Sequence, residues 1–299
     1  MDVSIILVNY NTKDLTSQCI ESIFKQTRDV DFEVILVDND SKDGSKEIFQ
    51  KDSRIKFIES GGNLGFGKAN NLGIEQATGR YIFFLNSDTI LLNNAVKILM
   101  DFYDAHNKDM HLGGIGCQLI NKNGEIIHSG NYFPDWKENL EVGLLGFVDT
   151  LKHRPKRQIK DVPLLQSPFS PYKIDYVTGA DLFVGKNIID KYGAFDPDFF
   201  MYYEESEMEH RWCVHGYSNY LIDGPKIVHL VGQSVKKKSM SKEIMLARSY
   251  YLYLKKTLNK SAYITFRAIQ IVHRLPRVLL LKGTRKERKE YLHLIFFGR

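Results

Sequence analysis

Ser4-Ile5-Ile6-Leu7-Val8-Asn9-Tyr10-Asn11 is an apolar run that breaks off at two amides. A run this short and this apolar reads as a strand buried on both faces, as parallel sheets require. Outward from it the pattern repeats. Leu15 to Phe24 reads as a helix, Glu33 to Val37 as a strand, Ser45 to Gln50 as a short helix and Arg54 to Ile58 as a third strand. Gly67 to Ala77 then reads as a helix, Tyr81 to Leu85 as a strand and Ala95 to Tyr103 as a helix. This alternation predicts an α/β fold: a mostly parallel central sheet with helices on both faces. Ligands of such sheets lie beyond the carboxyl ends of the strands. Three polar clusters stand there: Asn9-Tyr10-Asn11, Asp38-Asn39-Asp40-Ser41 and Asn86-Ser87-Asp88.

With 299 residues, 43% hydrophobic and 26% charged, the chain can bury a large core, which excludes a disordered or collagen-like protein. Cys19, Cys117 and Cys213 are too dispersed for a disulfide framework or a zinc knuckle and suit a reducing compartment. The start lacks the pattern of a secretory leader, and no apolar run is long enough to span a bilayer, so the expected location is cytoplasmic. Charge is divided unevenly. Residues 236–299 hold 17 Lys and Arg against 3 acids, whereas 1–235 hold 24 against 33. The reading is an acidic body, 1–235, and a basic helical tail, 236–299. In that tail Ile264, Ala268, Ile271, Leu275 and Val278 share one helical face, Arg267, Arg274 and Arg277 fall elsewhere, and Pro276 should kink or end the helix. Tyr250, Tyr251 and Tyr253 are of the kind found at membrane interfaces. Two readings stay open: residues 240–299 touch an anionic membrane surface, peripherally and from the inner face, or they pack on the body. No nucleic-acid partner is expected.

Gly62 to Lys68 fits G-x-x-x-x-G-K, the phosphate loop of P-loop NTPases, but Ala69 lacks the hydroxyl that would hold magnesium and the loop follows the third strand. A glycine-rich turn into a helix is the simpler reading. Beyond residue 113 the period changes. Asn123-Gly124 marks a hairpin, and Asn131 to Pro171 has no period and is a candidate acceptor-side loop. Strands resume at Ile174 to Val177 and Leu182 to Val184, a helix at about Glu205 to His215, and strands at Asn219 to Ile222 and Lys226 to His229. Glu204, Glu205, Glu207 and Glu209 crowd the start of that helix, through the helix dipole or because mutual repulsion keeps one of them basic enough to take a proton.

Taken in order, these segments resemble the family 2 glycosyltransferases, in particular a rhamnosyltransferase-like branch. The matching stretches are Ser4 to Asn11, Val37 to Ser45, Asn63 to Asn71, Leu85 to Thr89, Thr178-Gly179-Ala180, Gly193 to Asp196, Phe199 to Glu207, and His229 with Gly232-Gln233-Ser234. The resemblance implies a GT-A fold over 1–235, with a nucleotide half of about 1–112 and an acceptor half of about 113–235. It implies an inverting transfer from a nucleotide-diphosphate sugar, dTDP-rhamnose or a UDP-sugar, aided by Mg2+ or Mn2+. The acceptor would be a glycan or lipid-linked, in cell-envelope polysaccharide synthesis. Carried over by position, Asn9, Asn11, Asp38, Asn63, Gly65, Asn70, Asn86, Asp88, Gly179 and Ala180 would meet the donor, and Asp88 with His229 the metal. Glu205 stands where the family has a catalytic Asp, with Glu204 as the alternative base, and Asn86 replaces the first acid of D-x-D. A catalytically silent nucleotide-sugar-binding protein, a nucleotidyltransferase and the P-loop NTPase are the competing readings.

Overall fold

The computed structural model describes residues 1–137, 161–230, 240–280 and 284–298, with 272–280 as backbone only. Strand β1 (Val3–Asn9) is followed by α1 (Lys13–Gln26), β2 (Phe32–Asp38), α2 (Ser45–Phe49), β3 (Ile55–Glu59), α3 (Phe66–Glu75) and β4 (Tyr81–Leu85). Then come β5 (Thr89–Leu91), α4 (Ala95–Met110), β6 (Leu112–Cys117), β7 (Gly130–Asn131), β8 (Tyr172–Ile174), β9 (Tyr176–Val177) and β10 (Asp181–Gly185). The remainder is α5 (Lys186–Tyr192), α6 (Glu204–Val214), β11 (Ser218–Ile222), β12 (Ile227–His229), α7 (Met240–Thr257), α8 (Lys260–Leu280) and α9 (Arg285–Phe297).

Eight strands form one sheet in the order β3-β2-β1-β4-β10-β6-β11-β8. β3, β2, β1 and β4 are parallel; β10 runs against both β4 and β6, β11 runs with β6, and β8 runs against β11. The sheet is therefore parallel on one side and mixed on the other. The central strands read as continuous apolar runs because both faces are covered. Val3, Ile5, Leu7, Tyr81, Phe83 and Leu85 enter one core, while Ile6, Ile82 and Phe84 enter the other. Each fully buried Ile, Leu or Phe is worth about 1.5–3 kcal/mol before entropy is counted, so a one-residue slip of register would be prohibitive. Because β10 is antiparallel, its first residue, Asp181, lies opposite Leu85, the last of β4. The Thr178-Gly179-Ala180 turn thus lands at the same sheet edge as the ends of β1, β2 and β4.

Several elements escaped the sequence reading. β6 carries Gly113, Gly114 and Gly116, and β5 has only three residues, so neither shows a strand's apolar alternation. A Cβ on Gly114 would press on Leu182 and Glu209, and one on Gly116 on Val177 and Asp181, so the glycines make room for neighbours. The helix α5 was also missed, and the predicted strand from Ile174 to Val177 divides into β8 and β9. The Asn123-Gly124 turn is present, with Gly124 at φ +80° and Ile120 bridged to Ile126. Of the aperiodic stretch, 138–160 lie outside the described residues. Its described ends are anchored: the Tyr132 and Tyr172 hydroxyls are 3.0 Å apart, and Val162, Leu165 and Phe169 pack on the second core.

The tail forms a third cluster with the body. Phe199 is buried against Met240, Ile244, Tyr250, Tyr251, Tyr253 and Leu254 of α7, Phe266 of α8 and Tyr291, Leu294 and Ile295 of α9. Packing on the body is therefore observed. On α8, Ile264 and Ala268 are exposed, Ile271 packs against the cluster, and Phe266 and Gln270 are buried. The Phe266 ring packs edge-on against Tyr250 and Tyr251, and the Arg267 guanidinium lies 4.2 Å from the centre of the Tyr251 ring; these contacts set the helix rotation. Pro276 does not end α8, which continues to Leu280. Among the described residues no helix is long and apolar enough to cross a membrane.

Candidate active site

At the ends of β1 and β2 the two loops are sewn together. Asn9 donates through Nδ2 to Asp38 Oδ1 at 2.7 Å and to Ser41 Oγ at 2.9 Å, and its Oδ1 accepts from Thr12 and Thr16 hydroxyls. Every hydrogen-bonding position of the Asn9 amide is thereby used, and the residue is fully buried. Asn9 thereby orients Asp38. Asp38 Oδ2 accepts from the Ser41 N–H, and Asn11, left-handed at φ +55°, accepts from the Lys42 N–H at 2.7 Å. Asp43 caps the first turn of α1 through the Lys13 N–H, and a hollow of about 560 Å3 opens beside Tyr10, Asn11, Lys13 and Asp43.

The glycine-rich loop closes on this frame. Asn39 accepts from the Leu64 N–H and donates to Asn63 Oδ1 and the Gly65 carbonyl; Asn63 accepts from the Gly65 N–H; Phe200 accepts from the Phe66 N–H. The amides at 64, 65 and 66 are thus occupied, and Lys68 is exposed on α3. This arrangement is no phosphate cradle and removes the P-loop reading. Gly65 sits at φ +83° with its Cα against the Phe200 carbonyl, so only glycine fits. Asn70 donates to the Phe66 carbonyl, whereas Asn71 clasps Phe195 through both its N–H and carbonyl.

The end of β4 joins the next group. Thr12 and Ser87 hydroxyls are 3.2 Å apart, which links it to the β1 frame. The Asn86 N–H donates to the Ala180 carbonyl, and Asn86 Nδ2 lies 3.4 Å from His229 Nε2. β5 and β12 pair with Thr89 opposite His229, which brings Asp88 Oδ1 and His229 Nε2 to 3.1 Å; both side chains remain about 15% exposed. An oxygen and an imidazole nitrogen, side by side and partly open, suit Mn2+ or Mg2+ as two of six ligands. Among the described residues no third acid, His or Cys completes the set, so diphosphate and water would have to.

Above this edge α6 brings its acids. The backbone at Glu205, Gly179 and Ser206 favours the ionised Glu205 carboxyl and partly offsets its burial. Glu204 is buried, and Oε2 of both Glu204 and Glu205 is sealed without a partner among the described residues. Burial pushes both carboxyls above the usual range, and the Glu205 charge pushes Glu204 further. Glu207 is different: it pairs with Arg211 at 2.9 Å. Glu209 is buried and accepts the Val177 N–H at 3.0 Å, and desolvation raises its proton affinity strongly.

The sequence profile described as glycosyl transferase family 2 matches residues 4–152. The chain belongs to that family. A glycosyltransferase of unassigned role from Rickettsia bellii is 31% identical over 159 residues, covering 50% of this chain and 22% of that protein. The UDP-Glc:alpha-D-GlcNAc-diphosphoundecaprenol beta-1,3-glucosyltransferase WfgD of Escherichia coli is 33% identical over 126 residues, 42% of this chain and 49% of that one. The chain thus spans from about a fifth to half of the length of these relatives. GalNAc-T7, solved with UDP, GalNAc and Mn2+, superposes with a TM-score of 0.66 at 15% identity, over 99% of this chain and 56% of that one. The fold is of the GT-A type.

In this family 2 chain the structure brings Asn11, Asp38, Asn63, Gly65, Asn86, Asp88, Gly179, Ala180, Glu205 and His229 to one edge of the sheet. Thr12, Asn39, Ser41 and Ser87 also belong to it, though none was singled out as a site residue from the sequence. Each lies in or beside a quoted motif, which was the available signal. Gly232-Gln233-Ser234 lie outside the described residues.

Proposed function

We propose that this chain is an inverting glycosyltransferase that moves a sugar from a nucleoside-diphosphate donor to an acceptor hydroxyl. The observation that carries the reading is Glu205: a carboxylate with one oxygen sealed and partnerless, beside the Gly179 turn at the edge where Asp88 and His229 meet. Inversion forms no covalent glycosyl-enzyme, so a single base is enough. In this reading Glu205, ionised, takes the acceptor proton at a carboxylate oxygen. Glu204 stays protonated beside it, sparing the pair a second buried charge. Asp38, set by Asn9 and Ser41, and Asn11 receive the nucleoside; Asn63, Gly65, Asn70, Asn86, Gly179 and Ala180 shape the path to the sugar. Asp88 and His229 hold a divalent cation, which when bound offsets the charge on the departing diphosphate.

The UDP-glucose donor of the E. coli relative and the UDP bound by GalNAc-T7 favour a UDP-sugar over dTDP-rhamnose. That relative's diphosphoundecaprenol acceptor supports a lipid-linked acceptor in cell-envelope glycan synthesis. We assign 1–235 to the transferase unit, with its nucleotide half about 1–112 and acceptor half about 113–235, and 236–299 to a tail that meets the inner membrane surface. The exposed Ile264, Phe296 and Phe297, among the tail's excess of cations, favour that contact. Thermal-shift measurements with UDP and dTDP, each with and without Mn2+, test the donor: the reading expects UDP to stabilise the chain more with Mn2+ than without. A shift indifferent to nucleotide or to metal contradicts it.

A further inference from the structure

α6 begins without a side-chain cap, after Tyr202 and Tyr203 at φ +72° and +66°. Two bulky residues in the left-handed region persist only where the surroundings over-determine them. On the inner side the turn is held by the Phe66 N–H on the Phe200 carbonyl. On the outer side α7 supplies restraints. The Ser249 hydroxyl donates to the Met201 carbonyl at 2.7 Å, and Lys256 Nζ bridges Asp196 at 2.6 Å and Asp198 at 3.0 Å. The Tyr203 ring lies 5.5 Å from Tyr250 and 5.9 Å from Tyr253, and Phe199 is buried in the same cluster. The turn that aims Glu205 is therefore gripped from outside by the first helix of the basic tail.

We propose that Ser249 and Lys256 are positioning residues for Glu205, so that the tail is a working part of the transfer site as well as a surface. The proposal rests on Glu205 being the base. A displacement of about 1 Å at a reacting group costs on the order of 100-fold in rate, and release of one end of this turn permits a shift of that size.

The test uses the full chain with Ser249→Ala and Lys256→Met, and Ser249→Thr and Lys256→Arg as the conservative variants. Hydrogen exchange is followed in peptides covering 196–207, and release of nucleoside diphosphate is measured from UDP-glucose, UDP-N-acetylglucosamine and dTDP-rhamnose. The expected result is exchange at least 10-fold faster in 196–207 with β1 to β4 unchanged, kcat down at least 10-fold at constant KM, and recovery in the conservative variants. Unchanged exchange in 196–207, kcat within twofold of the parent, or loss of protection throughout the chain overturns the proposal. Where no donor in the panel is released, the exchange result alone decides. Glu205→Gln runs alongside: turnover retained there removes the base reading, whereas turnover lost there and kept in Ser249→Ala and Lys256→Met removes only the role of the tail.

Discussion

Replacing Asp181 with Asn removes a charge that the fold resists. Asp181 opens β10 with no exposure; its Oδ2 accepts the Cys117 N–H at 2.7 Å and its Oδ1 has no partner among the described residues. Desolvation raises its pKa from 3.8 to about 7. A rise of about three units corresponds to ~4 kcal/mol of linkage at most. Below pH 3.8 both native and unfolded chains hold the proton and the stabilisation is complete. Between 3.8 and 7 the unfolded chain ionises first, so stability falls as pH rises; above 7 the native group ionises too and the loss levels off. Asn carries no such dependence, and its buried amide N–H stands in for the O–H of the protonated acid. Urea titrations in chelator at pH 5 and pH 8 read the difference. The advantage of Asp181→Asn over the parent should widen by about 3 kcal/mol between them, or about 1 M in midpoint for a slope near 3 kcal/mol/M. Parallel pH profiles, or a variant less stable than the parent at pH 8, would refute the reasoning.

Gly65→Ala forces a Cβ into the Phe200 carbonyl at a left-handed φ and should cost about 2–5 kcal/mol in urea midpoint stability; a cost under ~1 kcal/mol would mean that the loop yields freely. Phe266→Ala empties the seam between α7, α8 and α9 and should cost about 3–5 kcal/mol, read by thermal melting; an unchanged melt would show that the seam adds little. Donor turnover should fall on the acid side with a pKa above the usual 4.5 of a glutamate, because burial raises that of Glu205; a rate level down to pH 4.5 contradicts this. Asp88→Ala and His229→Ala should each abolish the Mn2+-dependent part of UDP stabilisation in calorimetry, and retention in both would move the metal elsewhere.

The parallel half of the fold was legible because its strands are apolar on both faces and its helices amphipathic; the bounds of Tyr81–Leu85 match to the residue. The mixed half was harder. Gly113, Gly114 and Gly116 hide β6 by giving their space to Asn219, Glu209 and Asp181, a contact that no local pattern reveals. On α8 the spacing put Ile264, Ala268 and Ile271 on one face without saying what covers it; ring packing at Phe266 leaves Ile264 and Ala268 outside while Ile271 joins the cluster. At the site, residue types at strand ends marked the right neighbourhood but not who touches whom. Asn9 has its amide fully hydrogen-bonded against Asp38, and Asn39 and Ser41, marked only as members of a polar cluster, close the loops around Asp38.

The most direct measurement compares Glu205→Gln with the parent chain for donor binding by calorimetry and for sugar transfer or donor hydrolysis. The account expects binding within threefold of the parent and turnover lower by at least 100-fold. Turnover within threefold of the parent, with binding intact, would contradict it.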